Sequence, residues 1–541
     1  MKYLFLVWAL VFSLLFPSSA IAQAQQPYTL ISGLGTHHHP VSTDNPEAQQ
    51  FFDQGLNLMY AFNHDEAARS FKYAAELDPQ LAMAYWGIAL ALGPNINLDV
   101  DSDRELAAYQ AIQQAKALST RASKQEQDYI NALAKRYSND SHAYLYKLAV
   151  DYKNAMADLV KRYPQDLDAK TLYAESLMDL HPWQLWTKDG KPLTDTEEIV
   201  AVLESVLQRD PNHPGANHYY IHAVEASLTP ERALESAKRL ENLVPAAGHL
   251  VHMPSHIYFR VGDYEGAMRS NAQAIAQDEV YIQKNHIQGV YPLMYYTHNV
   301  HFLAVAGAMA GRYQDAIQAA DKLVTTATPF VSELPMVEGY LGTKILIQVR
   351  FSDWDAILKS SPPDDKLVTT KALWYFAHGM ANAATGKVED AVSDRTELLA
   401  AQKTIPAAAT IGMSPASNIL DIASNLLDAK IVKAKQDYES AIKLLETAVA
   451  QEDALNYMEP PDWYIPTREA LGGALLAKGD YAAAEKVFRA DLQKYPLNGR
   501  SLLGLQASLQ ALGKNDAAKL VEAEFTKAWK STDTQLLVEN F

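Results

Sequence analysis

Two adjoining stretches decide how the chain is read: AQQFFDQGLNLMYAF at 48–62 and HDEAARSFKYAAELDP at 64–79. In the second, Ala67, Phe71 and Ala74 recur at intervals of three and four before Pro79, so a helical period places small and aromatic side chains on one stripe. The first is apolar and aromatic at similar intervals, and only Asn63 separates the two. The pattern predicts two helices joined by a tight turn and packed along one seam.

The pattern recurs along the chain. Gly262-Asp263-Tyr264-Glu265-Gly266-Ala267, Gly311-Arg312-Tyr313-Gln314-Asp315-Ala316 and Gly479-Asp480-Tyr481-Ala482-Ala483-Ala484 repeat a turn followed by a helix start. Asp-Pro or Tyr-Pro closes units at Pro79, Pro164, Pro211 and Pro496, and Leu-Val-Pro does so at Pro245. These motifs resemble the tetratricopeptide repeat, a unit of about 34 residues that pairs two antiparallel helices. Units at 48–79, 214–245, 248–280, 297–328 and 465–496 are clear; those at 82–115, 142–164, 167–211, 334–360, 371–403, 419–453 and 499–528 are degenerate. Strand patterns are absent. The resemblance implies an all-α, right-handed superhelical solenoid in which stacked repeats share one core. It is interrupted at 93–103, 181–194 and 457–466, each a lid or a spacer.

Composition narrows the functional classes. The chain has 541 residues, 48 % of them apolar, a formal charge of -17 and no cysteine. Disulfides, thiolate metal sites and c-type haem are excluded, so any metal must bind through nitrogen and oxygen. Acidity without clustered Lys and Arg argues against nucleic acid as a partner. Residues 1–24 carry Lys2, an apolar run from Tyr3 to Phe16, and small residues around Ala20, Ala22 and Ala24, which reads as a signal peptide. No later stretch approaches the roughly 20 apolar residues of a membrane span. The expected product is exported, periplasmic or secreted. It begins with a His-containing loop at 25–45, followed by repeats at 46–166, 167–328 and 329–541.

Ten of the 16 histidines fall between His181 and His301. The repeat family lines its concave surface with positions 2, 5, 9, 12 and 13 of each first helix. Carried onto the units that start at Pro214, Gly248 and Thr297, that rule selects His218, His222 and Glu225, then His249, His252 and His256, then His298 and His301. Seven of fifteen inner positions are therefore histidine, where chance predicts fewer than one. Imidazole is the common nitrogen ligand of Zn, Cu, Fe and Ni, and pairs at i, i+3 or i, i+4 bring two rings to one ion. Glu225 adds an oxygen, as ligand or as general base beside a metal-bound water. Eight side chains exceed the needs of one ion, which implies two metals or one metal with an orienting second layer. Pro254, inside the predicted first helix of the second unit, predicts a break or kink between His252 and His256.

Other residues carry weaker signals. Glu175 takes inner position 9 of the unit starting at Leu167, and His181 with Trp183 opens the insertion at 181–194. His213 and His286 read as structural, and His64, His142 and His378 as core or surface residues. Trp86, Tyr291, Tyr295 and Tyr296 suit either packing or a pocket wall. The run His37-His38-His39 cannot face one way on a regular element, and exported proteins do use such tracts to capture metal. Phosphate loops, dinucleotide turns and nucleophile elbows are absent. The expected function is metal binding on the concave face, with hydrolytic or oxidative catalysis on a small-molecule or peptide ligand. The alternative is a non-catalytic scaffold holding peptides or partner proteins in the groove.

Overall fold

A computed structural model describes residues 28–538 and 541. The expected signal peptide at 1–24 lies outside the described residues. The described residues are almost wholly α-helical, built of tetratricopeptide-like helix pairs. The first two stretches form the helices Pro46–Tyr60 and His64–Leu77, separated by three residues, a connection that forces them antiparallel. Pro46 opens the first helix at a position where its missing N–H is no loss, and the Asn45 side chain accepts from the backbone of Glu47 and Ala48.

One side chain shows why such pairs stack. The ring of Phe71, fully buried, lies between Gly55 of its own pair and Gly87 of the next helix, Ala82–Ala91. A methyl group at either glycine would stand 2.7 or 2.4 Å from that ring. Phe488 sits in the same way between Gly472 of Thr467–Lys478 and Gly504 of Gly499–Ala511, where added methyls would meet it at 2.4 and 2.2 Å. The repeat is thus a physical one: an aromatic from the second helix fills a notch made by two first helices.

The chain divides into two compact units, Met1–Ile257 with Gln273–Tyr291, and Tyr258–Ala272 with Pro292–Phe541. In the first, the helices that matter below are Leu167–Met178, Pro214–Val224 and Gly248–His252. In the second, pairs such as Thr297–Met309 with Tyr313–Ala327 and Val368–Ala384 with Val388–Gln402 continue the pattern.

Departures from the sequence reading are few. A helix at Lys124–Leu133, started by a capping box between Ser123 and Glu126, fills a span to which no unit was assigned. Strands are not wholly absent: Thr410–Ile411 pairs antiparallel with Ser414–Pro415. The break predicted at Pro254 is present, since Gly248–His252 ends before Pro254–Arg260 begins, but Met253 keeps right-handed helical angles across the junction. The insertion at 181–194 closes on itself through a bridge between Trp186 and Pro192. No helix among the described residues is long and apolar enough to cross a membrane.

Candidate metal centre

The helix Pro214–Val224 is buried on every side, from Pro214 through Val224. Its start is fixed by Pro214 and by His213, whose Nδ1 accepts the backbone N–H of Ala216 at 3.2 Å. That start places His218 and His222 one turn apart with ring centroids 4.9 Å apart, and Glu225 at the helix end. The next first helix brings His249, His252 and His256 alongside. Within the first unit, six of the eight expected residues therefore converge. All are buried, with exposures from 0 to 6 %.

The hydrogen bonds dictate where each imidazole carries its proton. His218 Nδ1 lies 2.6 Å from the carbonyl oxygen of Tyr60, which can only accept, so Nδ1 donates and Nε2 keeps a lone pair. His222 Nδ1 donates to Glu225 Oε1 at 2.7 Å, and His256 Nδ1 donates to Glu225 Oε2 at 2.5 Å. Three rings thus turn an Nε2 lone pair toward the cluster. His222 Nε2 is buried and has no hydrogen-bond partner. His249 Nε2 lies 3.2 Å from His218 Nε2, and His252 Nε2 lies 2.8 Å from His256 Nε2. At such distances two imidazole nitrogens must share a proton or a cation, because two lone pairs repel.

The ligand atoms group accordingly. One nitrogen each from His218, His222 and His249 lie within 4.8 Å of one another, as do atoms of His222, Glu225 and His256. Spacing of that order suits a single ion with bonds of about 2.0–2.1 Å to imidazole. Electrostatics agree. Burial, followed by the neighbouring His222, holds His218 well below the ordinary histidine range, and burial lowers His222 too; both shifts favour the neutral form of imidazole. Burial pushes the Glu225 carboxyl up, but His256 and His222 outweigh it and bring the group below its ordinary value.

Two aromatics wall the cluster: Phe62, which the sequence did not single out, and Trp183, which opens the insertion at 181–194. The ring of Phe62 meets His218 at 4.4 Å, His249 at 5.4 Å and His222 at 6.0 Å. Phe62 and Trp183, whose ring lies 5.6 Å from His222, both have left-handed backbones (φ 55° and 59°). Non-glycine residues seldom accept that conformation, and it aims both rings at the histidines.

A second constellation in the first unit gathers around Asp168, near the start of Leu167–Met178. Asp168 Oδ1 accepts from His37 Nε2 at 2.9 Å, His213 Nε2 at 3.2 Å and the Tyr60 hydroxyl at 2.5 Å, and Oδ2 accepts from His39 Nδ1 at 2.8 Å. His38 points the other way, to Asp53, and is largely exposed. The alternation within the triplet was expected; Asp168 was not, because no sequence interval connects it to His37, His39 or His213.

His298 and His301 belong to the second unit, one turn apart on Thr297–Met309. There the His298 ring meets Phe302 edge-on at 5.8 Å, and His301 lies edge-on to Tyr340 and Tyr464 at 5.5 and 5.8 Å. Removal from water lowers His301 to about 4. Glu175 is 2 % exposed with Oε2 unpartnered, its carboxyl raised by burial. His181 pairs with Asp195 in the insertion, and Tyr291 donates to Asp278 at 2.8 Å, a packing role. His64 is buried against Gly93 and Asn95, while His142 and His286 are exposed.

Comparison with known proteins returns structures only: no family model matches the chain, and no curated protein matches it. It is similar to human IFIT1, a dimer solved with PPP-AAAA, at 12 % identity over 90 % of this chain and 92 % of that one, with a TM-score of 0.32. It is similar to yeast Tom70 at 11 % identity over 90 % and 93 % of the two chains, TM-score 0.29. The tetratricopeptide domain of P58(IPK) aligns at 11 % identity over 86 % and 98 %, TM-score 0.23.

Proposed function

We propose that the first unit is a metal-binding module whose ligands are His218, His222 and His249, supported by His252, His256 and Glu225. The observation that carries this reading is the fixed tautomer of three buried imidazoles: each Nδ1–H is tied to an acceptor, so each Nε2 lone pair faces the cluster. Metal-ligating histidines are held in this manner by carbonyl and carboxylate groups. The donor set suits Zn, Cu, Fe or Ni. Burial of these rings, from 0 to 6 % exposed, favours an ion held by the protein over an open groove for peptides.

Such an ion supplies Lewis acidity or, for Cu and Fe, redox capacity, and hydrolytic or oxidative turnover of a small-molecule or peptide ligand is the finer form of the proposal. Glu225 has both oxygens engaged by imidazole N–H groups, which favours a positioning role over the acid–base role expected from sequence. Phe62 and Trp183 pack their rings against the histidines. The start of the sequence supports export as the route by which the protein meets its metal.

The test is elemental analysis of the untagged protein beside a His218→Ala/His222→Ala variant. Near-stoichiometric metal in the former, lost in the latter with helical circular dichroism intact, is expected. Absence of metal from both after reconstitution with Zn, Cu, Fe and Ni would sink the proposal.

A further inference from the structure

We propose that Asp168 is a positioning residue for the metal centre: clamped by His37 and His39 of the N-terminal segment, it holds Tyr60, whose carbonyl in turn orients His218. The inference rests on the metal reading above and goes beyond it, because it makes metal affinity depend on a segment 131 residues away in sequence from its anchor.

Tyr60 is the last residue of Pro46–Tyr60, so its carbonyl belongs to the final turn, whose oxygens have no partner further along the helix. That oxygen takes the Nδ1–H of His218 at 2.6 Å and thereby sets the direction of His218 Nε2. The Tyr60 ring has no exposed surface and is fixed at its far end by the 2.5 Å hydrogen bond from its hydroxyl to Asp168. His213 and Tyr219 press on its edges at centroid distances of 5.3 and 6.1 Å. The tyrosine is therefore a rod between two clusters, one end on Asp168 and the other on His218.

What fixes the rod is the set of protons around Asp168. Residues 28–45 have neither helix nor strand, yet side chains lace them down: Gln49 and Asp53 bind His39, and Ser42 binds Glu126. Alternate residues of the segment face opposite ways, so His37 and His39 both reach Asp168 while His38 turns to Asp53. Could these side chains be a second metal site instead? The tautomers speak against it. His213 Nδ1 accepts the Ala216 N–H, so its Nε2 must carry the proton it gives to Asp168. With His37, His39 and Tyr60 as further donors, the carboxylate is satisfied by N–H and O–H groups. At the neighbouring centre, lone pairs face inward; here, protons do.

The experiment titrates the full-length, metal-stripped protein with cobalt(II) chloride, reading both affinity by competition and the visible ligand-field spectrum. The variants are Asp168→Asn, a His37→Gln/His39→Gln pair, and Tyr60→Phe, which loses only the hydroxyl. Each is expected to bind cobalt about 10- to 100-fold more weakly, the range for lost supports of a ligating histidine, with a shifted spectrum and unchanged helical dichroism. Folded variants with wild-type affinity and band positions overturn the inference, even if their melting temperatures fall. Tyr60→Phe decides the matter should Asp168→Asn fail to fold. If wild-type protein takes up no cobalt, the metal reading itself fails and this inference with it.

Discussion

At the scale of single residues, Glu225 shows how one carboxylate can serve two imidazoles. Glu225→Gln keeps one acceptor but turns an amide N–H₂ toward an imidazole N–H, so one of the two rings must rotate or change tautomer. Metal affinity should fall about 10- to 100-fold, measurable by competition with a chromophoric chelator. His64 offers a contrast, a buried histidine held by Gly93 and Asn95, whose pKa burial lowers to about 3. Its folded value lies below the unfolded one, so its contribution to stability is present above pH 6.5 and is lost as the pH falls toward 3. In metal-free protein, wild type should lose about 2 kcal/mol more than His64→Gln between pH 7 and pH 5, by chemical denaturation at each pH. Of the candidate cluster, the proximity of His218, His222 and Glu225 was legible because a helix converts their intervals into a shared face. Asp168, Tyr60 and Phe62 were not. They act through a carbonyl, a distant hydroxyl and a left-handed backbone, none of which leaves a spacing in the sequence.

At the scale of elements, the junction at Met253 explains how a proline can sit between two histidine-bearing helices. Pro254 lacks the N–H that would continue the ladder, but it begins a new helix at the position where none is needed, and His256 N–H returns to the Met253 carbonyl at 3.2 Å. The expected break is there, yet His252 and His256 stay 2.8 Å apart through their Nε2 atoms. Gly215 is the more vulnerable point. A methyl group there would lie 2.4 Å from the Tyr60 ring. Gly215→Ala should therefore destabilise the protein by about 1–3 kcal/mol, despite alanine's better helix propensity, and weaken metal binding with it. Denaturant melts and metal titration of the same variant check both. Most helices were readable from turns such as Gly479-Asp480-Tyr481 and closing prolines. The helix Lys124–Leu133 escaped because it carries neither signal, only a Ser-to-Glu capping box.

At the scale of the whole molecule, six of the expected residues fall in one of two compact units, so a metal held by them should stabilise the chain unevenly. With free metal at about 100 times its dissociation constant, the first unit gains about 2.7 kcal/mol, and calorimetry should show one transition move up while the other keeps its temperature; a chelator should reverse the shift. The formal charge of -17 adds a general attraction for cations to the specific one proposed. The hydrogen bond between His218 and Tyr60 has a consequence in time. Its partners are 158 residues apart, and those joining His37 and His39 to Asp168 span 131 and 129. Helix pairs close over short loops and form early, whereas contacts of such separation wait for everything between them. The histidines of the candidate centre come from adjacent repeats and can gather early, so the docking of Tyr60 and Asp168, which orients His218, is expected to follow their approach.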